Sequence, residues 1–421
     1  MATTAGTNWS GNYAYTASGV KHPQTVDDVR QAVQDARANG TTVHALGTRH
    51  CFNDIADTSG TQLAMTSLAP RFELDEGART VTVSAGARYG DVALQLDAAG
   101  WALPNLASLP HISVAGAIAT ATHGSGNRNV NLAAVVSGLE LVDGSGDLVA
   151  LHRGDADFAG AVVGIGALGI LTAVTLEVVP SFEVAQTVYV DLGWETVLEQ
   201  FRAITSAAYS VSMFTNWVDG VQQVWLKRLV SEDSPEAPDT LFGAAQATEN
   251  RHPLPGVSAE SCTDQLGIPG PWYDRLPHFK LAFTPSNGEE IQSEFLVPRD
   301  RAVDAVKALL PLAERIAPVL QVTELRTVAA DENWLSSAYG TDVLGIHFTW
   351  KKDQPAVEAV LPAIEAALYP LGARPHWGKL FLDVDGVVPS LYPKFDDFRA
   401  LVAKYDPQCV FRNAYLDRLL G

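Results

Sequence analysis

The sequence is poor in cysteine and in basic residues, and both shortages exclude classes of protein. Its 421 residues include three cysteines, Cys51, Cys262 and Cys409, which lie far apart and form no CxxC pair. Neither a disulfide framework nor a cysteine zinc site is therefore predicted. The sequence has 29 lysines and arginines but 48 aspartates and glutamates, which give a formal net charge of −19. Nucleic acid and anionic membranes would repel such a chain, so neither is expected as a partner.

Signals for secretion and membrane insertion are also missing. The opening residues, MATTAGTNWSGN, contain no basic segment followed by an apolar one, so a cytoplasmic protein is expected. The uncharged stretch 158–176 is long enough to cross a bilayer. Four glycines interrupt it, however, and ILTAVTLEVV after Gly169 alternates like a strand. We therefore predict a buried helix, a turn and a strand there, no membrane span, and a monomer.

The order of predicted elements indicates an α+β fold with two domains. A chain of 421 residues is too long for one hydrophobic core. Before Pro180, helices and strands alternate without strict repetition, beginning with a helix over 25–39 that Thr25 and Asp28 cap. After Pro180, the order suits helices packed on one face of an antiparallel sheet, with a strand predicted at 278–283 and a helix at 299–316.

The common nucleotide-binding motifs are absent, but two stretches rich in small residues remain. Neither GxGxxG nor GxxxxGK[ST] occurs, which disfavours a nicotinamide Rossmann domain and a P-loop. GTRH, residues 47–50, follows a short apolar strand, and ASLPHISVAGAIATATHGSG occupies residues 107–126. Their backbone amides could together cradle a pyrophosphate, although small residues also serve tight packing. The histidines of the sequence show no spacing that is typical of metal ligands, so no metal site is predicted.

Strand periodicity separates two faces in the second half of the chain. In 343–350, the alternation places His347 and Thr349 on the face opposite a row of apolar residues. In 319–328, Glu324 and Arg326 share a face, and Gln292 is in phase with Glu294 in 290–297. Periodicity alone favours a solvated sheet face with a surface ion pair over a binding site, because buried charges are costly unless paired.

Several motifs together resemble the alditol oxidases, a group within the vanillyl-alcohol-oxidase-type flavoproteins. The similarity runs from NWSGN at Asn8 to FRNAYL at Phe411, and includes GTRH, ELRT, HFTW and PHWGK. It implies a two-domain flavoprotein with FAD joined covalently to His50, which from the residues alone could also be an ordinary turn histidine. The motif departs from a common form at Arg49, where glycine often stands, and at Cys51, which replaces serine. Arg49 is expected to disfavour the charged form of His50.

The resemblance also implies a set of cofactor contacts and a division of the chain. The FAD-binding domain would span 1–180, the substrate domain 181–375, and the segment 376–421 would return to the first domain. The implied flavin contacts are Ala45, Leu46, Gly47, Thr48, Arg49, His50, Cys51, Ser108, Ser113, Gly116, Thr120, Ala121, Thr122, His123, Ile170, Leu171 and Asn413.

The implied reaction is the oxidation of a terminal alcohol of a small polyol, such as xylitol or sorbitol, to an aldehyde. Hydride would pass to the flavin and then to O2, which gives hydrogen peroxide. The implied polyol-binding residues are Ser108, Gln292, Glu324, Arg326, Thr349 and Lys379. Arg326 and Lys379 would stabilise alkoxide character, Glu324 would orient Arg326, and His347 would accept the proton.

Three other functions fit parts of the same pattern. An aldonolactone oxidase or dehydrogenase would share the flavin half and differ in its substrate. A flavin-dependent reductase would use a nicotinamide donor without covalent attachment. A non-catalytic carbohydrate-binding protein would bind polyols and show no flavin absorbance.

Overall fold

A computed structural model describes residues 5–231, 236–283 and 289–421 of the protein. The long loop predicted between 231 and 277 includes residues 232–235, which lie outside that range. The strands are β1 Gly19–Lys21, β2 Val43–Leu46, β3 Thr61–Ala64, β4 Phe72–Asp75, β5 Thr80–Ser84, β6 Trp101–Ala102, β7 Val136–Val142, β8 Leu148–His152, β9 Ile170–Glu177, β10 Val179–Pro180, β11 Glu183–Leu192, β12 Ser210–Thr215, β13 Val221–Val230, β14 Thr240–Leu241, β15 Ala244–Gln246, β16 Pro269–Pro271, β17 Glu290–Pro298, β18 Leu320–Val328, β19 Val343–Lys351 and β20 Arg374–Pro375. The helices are α1 Val26–Asn39, α2 Tyr89–Ala98, α3 Val114–Ala119, α4 Phe158–Ala161, α5 Trp194–Thr205, α6 Ala302–Leu309, α7 Ala313–Ile316, α8 Gln354–Leu368, α9 Phe395–Tyr405 and α10 Ala414–Leu420.

The first 180 residues form two larger sheets and the short pair β6–β10. Strands β1, β3 and β2 form a parallel sheet, and β4, β5, β9, β7 and β8 form an antiparallel one. The predicted capping box is confirmed, since Thr25 and Asp28 bond each other's backbone at the start of α1. The turn Asp143-Gly144-Ser145-Gly146 between two apolar stretches predicts a hairpin, which β7 and β8 form. The uncharged stretch forms the short helix α4 and the buried strand β9, as predicted.

The rest of the chain is organised around one large antiparallel sheet. Its strand order is β14-β15-β11-β13-β12-β18-β19-β17-β20, with β16 paired to β11. Helices α5, α6 and α8 cover one face, where their apolar residues pack with Leu344, Ile346, Phe348 and Trp350 of β19. This arrangement of helices on one face of an antiparallel sheet confirms the predicted α+β fold. The opposite face of the sheet is left open for other contacts.

Two predicted elements are wrong. Residues 278–283 form turns instead of a strand, with a single bridge between Phe279 and Cys262. The helix predicted over 299–316 is divided into α6, the 3₁₀ turn Leu310–Leu312 and α7. Pro311 explains the division, because proline lacks the N–H that a continuous helix requires. Among the described residues, no helix is both long enough and apolar enough to cross a membrane.

Candidate active site

A cavity of about 600 Å³ lies between the small-residue stretches and the open face of the large sheet. All the predicted polyol-binding residues line it, together with His347. The predicted cofactor residues on its wall are Ala45, Leu46, Gly47, Thr48, Arg49, His50, Cys51, Ser108, Ser113, Gly116, Thr120, Thr122, His123 and Leu171. The structure therefore brings both predicted groups of residues to one space.

Three predicted cofactor residues do not lie on the wall of this cavity. Ala121 has a left-handed backbone, with φ of 53°, and is buried in the apolar core. Ile170 packs against Val43 and other apolar residues behind the wall. Asn413 caps α10 and donates to the carbonyls of Ile55 and Asp57. These three residues lie behind the wall of the cavity, and their role as flavin contacts stays a prediction.

The two small-residue stretches approach each other closely. A Cβ added at Gly47 would lie 2.4 Å from Ser113 Oγ, and one added at Gly116 would lie 2.8 Å from the same atom. The backbone N–H of Ser113 donates to Thr48 Oγ1 at 3.1 Å, which ties the stretches together. Larger residues would fill this space, so the composition provides a narrow cradle in which backbone can approach a ligand.

His50 is positioned by contacts on both sides of its ring. The ring stacks on Trp9 with centroids 5.1 Å apart, and Nδ1 lies 3.1 Å from Thr48 Oγ1. Burial lowers the pKa of His50 to about 4, and the neighbouring His111 lowers it further, so the imidazole is neutral at pH 7. A neutral imidazole retains the lone pair that a nucleophile requires.

Arg49 does not cause this effect, in contrast to the prediction. Its guanidinium donates to the carbonyls of Ala5 and Thr7 and lies over the ring of Tyr15. Its φ is 65°, in the left-handed region that glycine adopts readily. Arg49 thus keeps a glycine-like backbone in the loop and anchors the loop to the segment before β1.

The polar face of the large sheet is formed by three neighbouring strands. His347 on β19 is paired in register with Glu294 on β17 and with Glu324 on β18, and Gln292 is paired with Thr349. Apart from the half-buried Gln292 these residues are buried, and so is Arg326 on β18, with Glu294 1 % exposed and Arg326 6 % exposed. The solvated surface that periodicity alone favoured is therefore wrong, and this face is the inner wall of the cavity.

Glu294 is the centre of the buried charges. Its carboxylate lies 2.6 Å from Lys379 Nζ, 3.2 Å from His123 Nε2 and 3.5 Å from Arg326 Nη2. Burial alone would raise the pKa of Glu294, but Lys379, His123 and Arg326 hold it well below its usual range. Glu294 is therefore an anion that compensates the cations around it.

Lys379, His347 and Ser108 complete the polar wall. Lys379 Nζ lies 2.5 Å from His347 Nδ1, and Arg326 Nη1 donates to Ser108 Oγ at 3.0 Å. Burial lowers the pKa of His347 to about 4, and the charge of Lys379 acts in the same direction. His347 is therefore neutral at pH 7 and can accept a proton, while Arg326 and Lys379 present positive charge to the cavity.

The sequence-based selection missed several residues of this wall. Glu294 was recognised as sharing a face with Gln292, but its central role depends on partners from other strands. His278 and His376 also line the cavity. The sequence PHWGK shows no strand or helix periodicity from which the direction of the His376 side chain could be predicted. Among the described residues, no group of three or more histidine, cysteine or acidic side chains is placed to hold a metal ion.

Comparisons with known proteins match both halves of the chain. Residues 17–152 match a family described as an FAD binding domain, and residues 284–419 match the family of D-arabinono-1,4-lactone oxidase. An alditol oxidase from Streptomyces sp. (strain IKD472 / FERM P-14339) is 46% identical over 420 residues, which cover 99% of each chain. The chain belongs to the alditol oxidase family.

A more distant relative and a solved structure also match nearly the whole chain. An L-gulono-1,4-lactone dehydrogenase from Mycobacterium tuberculosis is 29% identical over 98% of each chain. A crystal structure of cholesterol oxidase from B. sterolicum matches with a TM-score of 0.80 at 16% identity, covering 99% of this chain and 97% of the other. The protein is thus an FAD-dependent oxidoreductase with a two-domain α+β fold.

The residues of the cavity fit FAD. The Gly47, Gly116 and Ser113 cradle provides space for close backbone approach, which the phosphates of a dinucleotide require. At Gly166, a Cβ would lie 2.7 Å from His44 Nε2, so the wall is equally tight there. The polar wall with Arg326 and Lys379 borders the same cavity, which leaves room for a substrate beside the cofactor.

Replacing Glu294 tests whether it compensates the buried cations. Glu294→Gln keeps the shape but leaves Lys379 and Arg326 without their shared anion, so we expect a loss of about 3 kcal/mol in the free energy of unfolding. Urea denaturation of the FAD-loaded protein measures it. Asp304→Asn is the matched control, because its partner Arg301 is 3.6 Å away at the surface and such pairs contribute below about 1 kcal/mol. Equal stabilities of the two variants would contradict this role.

Proposed function

We propose that the protein oxidises the terminal primary alcohol of alditols to the aldose and reduces O2 to hydrogen peroxide. Xylitol and sorbitol are the expected substrates, with glycerol as a shorter one. The observation that carries the proposal is the polar wall of Ser108, Gln292, Glu324, Arg326, Thr349 and Lys379 beside a cradle that fits FAD. The 46% identical alditol oxidase supports the same reaction.

The polar wall suits a polyol because each hydroxyl is both a donor and an acceptor. Glu324 can accept from a hydroxyl, whereas Arg326 and Lys379 donate and stabilise the negative charge that develops on oxygen. An aromatic alcohol would require aromatic walls at this position. The wall thus provides both substrate selection and charge stabilisation.

His347 is the proposed acceptor of the hydroxyl proton. Its ring is neutral and buried. With Lys379 donating to Glu294, an Nδ1 proton of His347 can point to Glu294 Oε2, 3.5 Å away, which leaves Nε2, 3.2 Å from Thr349 Oγ1, free to accept a proton. When bound, FAD supplies the hydride acceptor and passes two electrons to dioxygen. The residues of the chain therefore orient the alcohol and remove its proton.

We propose further that FAD is joined covalently through His50. The neutral ring held between Trp9 and Thr48 supports this linkage, and so does the resemblance of GTRH to the family motif.

A division at residues 180 and 375 is proposed for the domains, since the strands of the large sheet extend from Glu183 to Pro375. The hydrogen bonds from Asn413 to Ile55 and Asp57 support the return of 376–421 to the first domain. We also propose a cytoplasmic monomer that acts on small molecules, for which the charge of −19 argues against nucleic acid and anionic membrane as partners.

An aldonolactone oxidase or dehydrogenase is the second candidate. The match of 284–419 to D-arabinono-1,4-lactone oxidase and the 29% identical dehydrogenase favour it. A lactone ring also presents hydroxyls, so the polar wall does not exclude it.

Anaerobic mixing with a substrate panel distinguishes these functions. We expect the flavin absorbance of the purified protein to bleach with xylitol or sorbitol, and peroxide to form once O2 is admitted. L-Gulono-1,4-lactone and NADPH are the comparison reductants. Faster bleaching by the lactone would favour the second candidate. Bleaching by NADPH would indicate a reductase. Purified protein without flavin absorbance would indicate a carbohydrate-binding role.

Denaturation tests the covalent bond. We expect the flavin to stay with the wild-type protein after acid precipitation, because a covalent bond survives unfolding, and to appear in the supernatant from His50→Ala. Absorbance of pellet and supernatant measures the distribution. His152→Ala, on exposed β8, is the control and retains the flavin. Release of the flavin from wild type would disprove the linkage.

Lys379→Met tests the charge stabilisation. The variant removes an ammonium group at the cavity wall, so we expect anaerobic flavin reduction by xylitol to slow about 100-fold, with FAD content unchanged. Stopped-flow absorbance measures the rate. Lys394→Met, which removes a surface lysine paired with Asp397, serves as control and keeps the wild-type rate. An unchanged rate in Lys379→Met would refute the role.

A further inference from the structure

Lys227 is a buried cation that the proposed reaction does not use. It lies on β13 with 1 % of its surface exposed. Its Nζ is surrounded by three acceptors, the carbonyls of Leu276 and Pro277 and Nδ1 of His278, the last two at 3.0 and 3.2 Å. An ammonium group has three N–H donors and no acceptor, so this environment matches its charged form.

His278 connects Lys227 to the cavity. Its Nδ1 lies beside Lys227, and its Nε2 lies 2.8 Å from Glu324 Oε1. Because an N–H of Lys227 points at Nδ1, the neutral ring carries its proton on Nε2 and donates it to Glu324. The edges of Phe214 and Trp225, with centroids 5.6 and 5.1 Å away, hold the ring. A flipped ring would present carbon atoms to both partners.

We propose that Lys227 and His278 are positioning residues, which fix the His278 tautomer so that Glu324 is held as an ionised acceptor for a hydroxyl of the substrate. The kinetic part of this inference rests on the proposed polyol oxidation. Glu324 lines the cavity, whereas Lys227 acts only through the ring of His278. The tautomer itself does not depend on the identity of the substrate.

The surrounding charges agree with this assignment. Burial would raise the pKa of Glu324, but Arg326, His278 and His347 hold it well below its usual range. Burial lowers the pKa of His278 to about 4, so the ring stays neutral. Burial also lowers the pKa of Lys227 to about 7, against the attraction of Glu324 and Cys262, and Arg326 lowers it further. Below pH 7 the ammonium form therefore predominates.

The same segment positions a second residue of the polar wall. The backbone N–H groups of His278 and Phe279 both donate to the carbonyl of Ser108, at 3.1 and 3.3 Å. Ser108 Oγ in turn accepts from Arg326. The turn at 276–279 thus positions Glu324 through the side chain of His278 and Ser108 through backbone hydrogen bonds. Because its N–H groups are used in these contacts, the segment forms no regular strand.

Nitrogen-15 NMR of histidine-labelled, FAD-loaded protein at pH 6 tests the tautomer. The His278 signals are identified by their loss in His278→Gln. We expect a neutral ring protonated at Nε2 in wild type and a ring partly protonated at Nδ1 in Lys227→Met, which has no N–H to donate. An Nδ1 proton in wild type, or an unchanged tautomer in Lys227→Met, would overturn the inference.

Steady-state kinetics with xylitol tests the effect on Glu324. His278→Phe removes the donated N–H, so we expect KM to rise about tenfold with kcat changed less than about threefold. His278→Gln retains a side-chain N–H and should restore most of the wild-type KM. Equal KM values in the two variants would contradict the positioning role. These variants keep Lys227, so they remain informative if Lys227→Met fails to fold.

Lys280→Met is the matched control on the same segment. It removes a lysine that pairs with Asp264 at 2.9 Å near the surface, and we expect wild-type KM and the wild-type His278 tautomer. A raised KM in this control would show that any change in the segment has the same effect and would overturn the assignment. If wild-type protein oxidises no polyol, the proposed function fails while the NMR measurement still decides the tautomer.

Discussion

The buried carboxylate of Glu294 is the interaction on which the rest of the site depends. Isolated charges are costly to bury, and the cavity wall contains the guanidinium of Arg326 and the ammonium of Lys379. Glu294 lies within 3.5 Å of both and compensates them inside the protein. The two cations can therefore face a substrate from a buried wall, where charges interact more strongly than they would in water.

Along the strands of the large sheet, side chains alternate between a face that packs in the core and a face that lines the cavity. On β19, the apolar residues Ile346 and Phe348 pack under the helices, while His347 and Thr349 face the cavity. Gly345 shares the cavity face, and a Cβ there would lie 3.0 Å from Glu294 Oε1. Its lack of a side chain leaves room for the carboxylate. The position of each cavity residue is therefore supported by the core packed directly behind it.

The sequence correctly predicted structural features that depend only on residues close together in the chain. The capping box at Thr25, the β7–β8 hairpin and the two faces of β19 follow from residues within a few positions of one another. The ion partners of Glu294 come from distant parts of the chain, so periodicity indicated an exposed face where the structure has a buried one. The segment 278–283 was predicted as a strand for a related reason, since the N–H groups of His278 and Phe279 donate to the distant carbonyl of Ser108.

The balance of charges explains what the cavity is suited to stabilise. On the polar wall, Arg326 and Lys379 supply two positive charges, and Glu294 and Glu324 supply two negative ones. The pKa values of His278 and His347, about 4, leave both rings uncharged. The charges of Arg326, Lys379, Glu294 and Glu324 therefore cancel, which allows the four groups to be buried together. Within this balanced group, Arg326 and Lys379 can donate to a substrate oxygen on which negative charge develops.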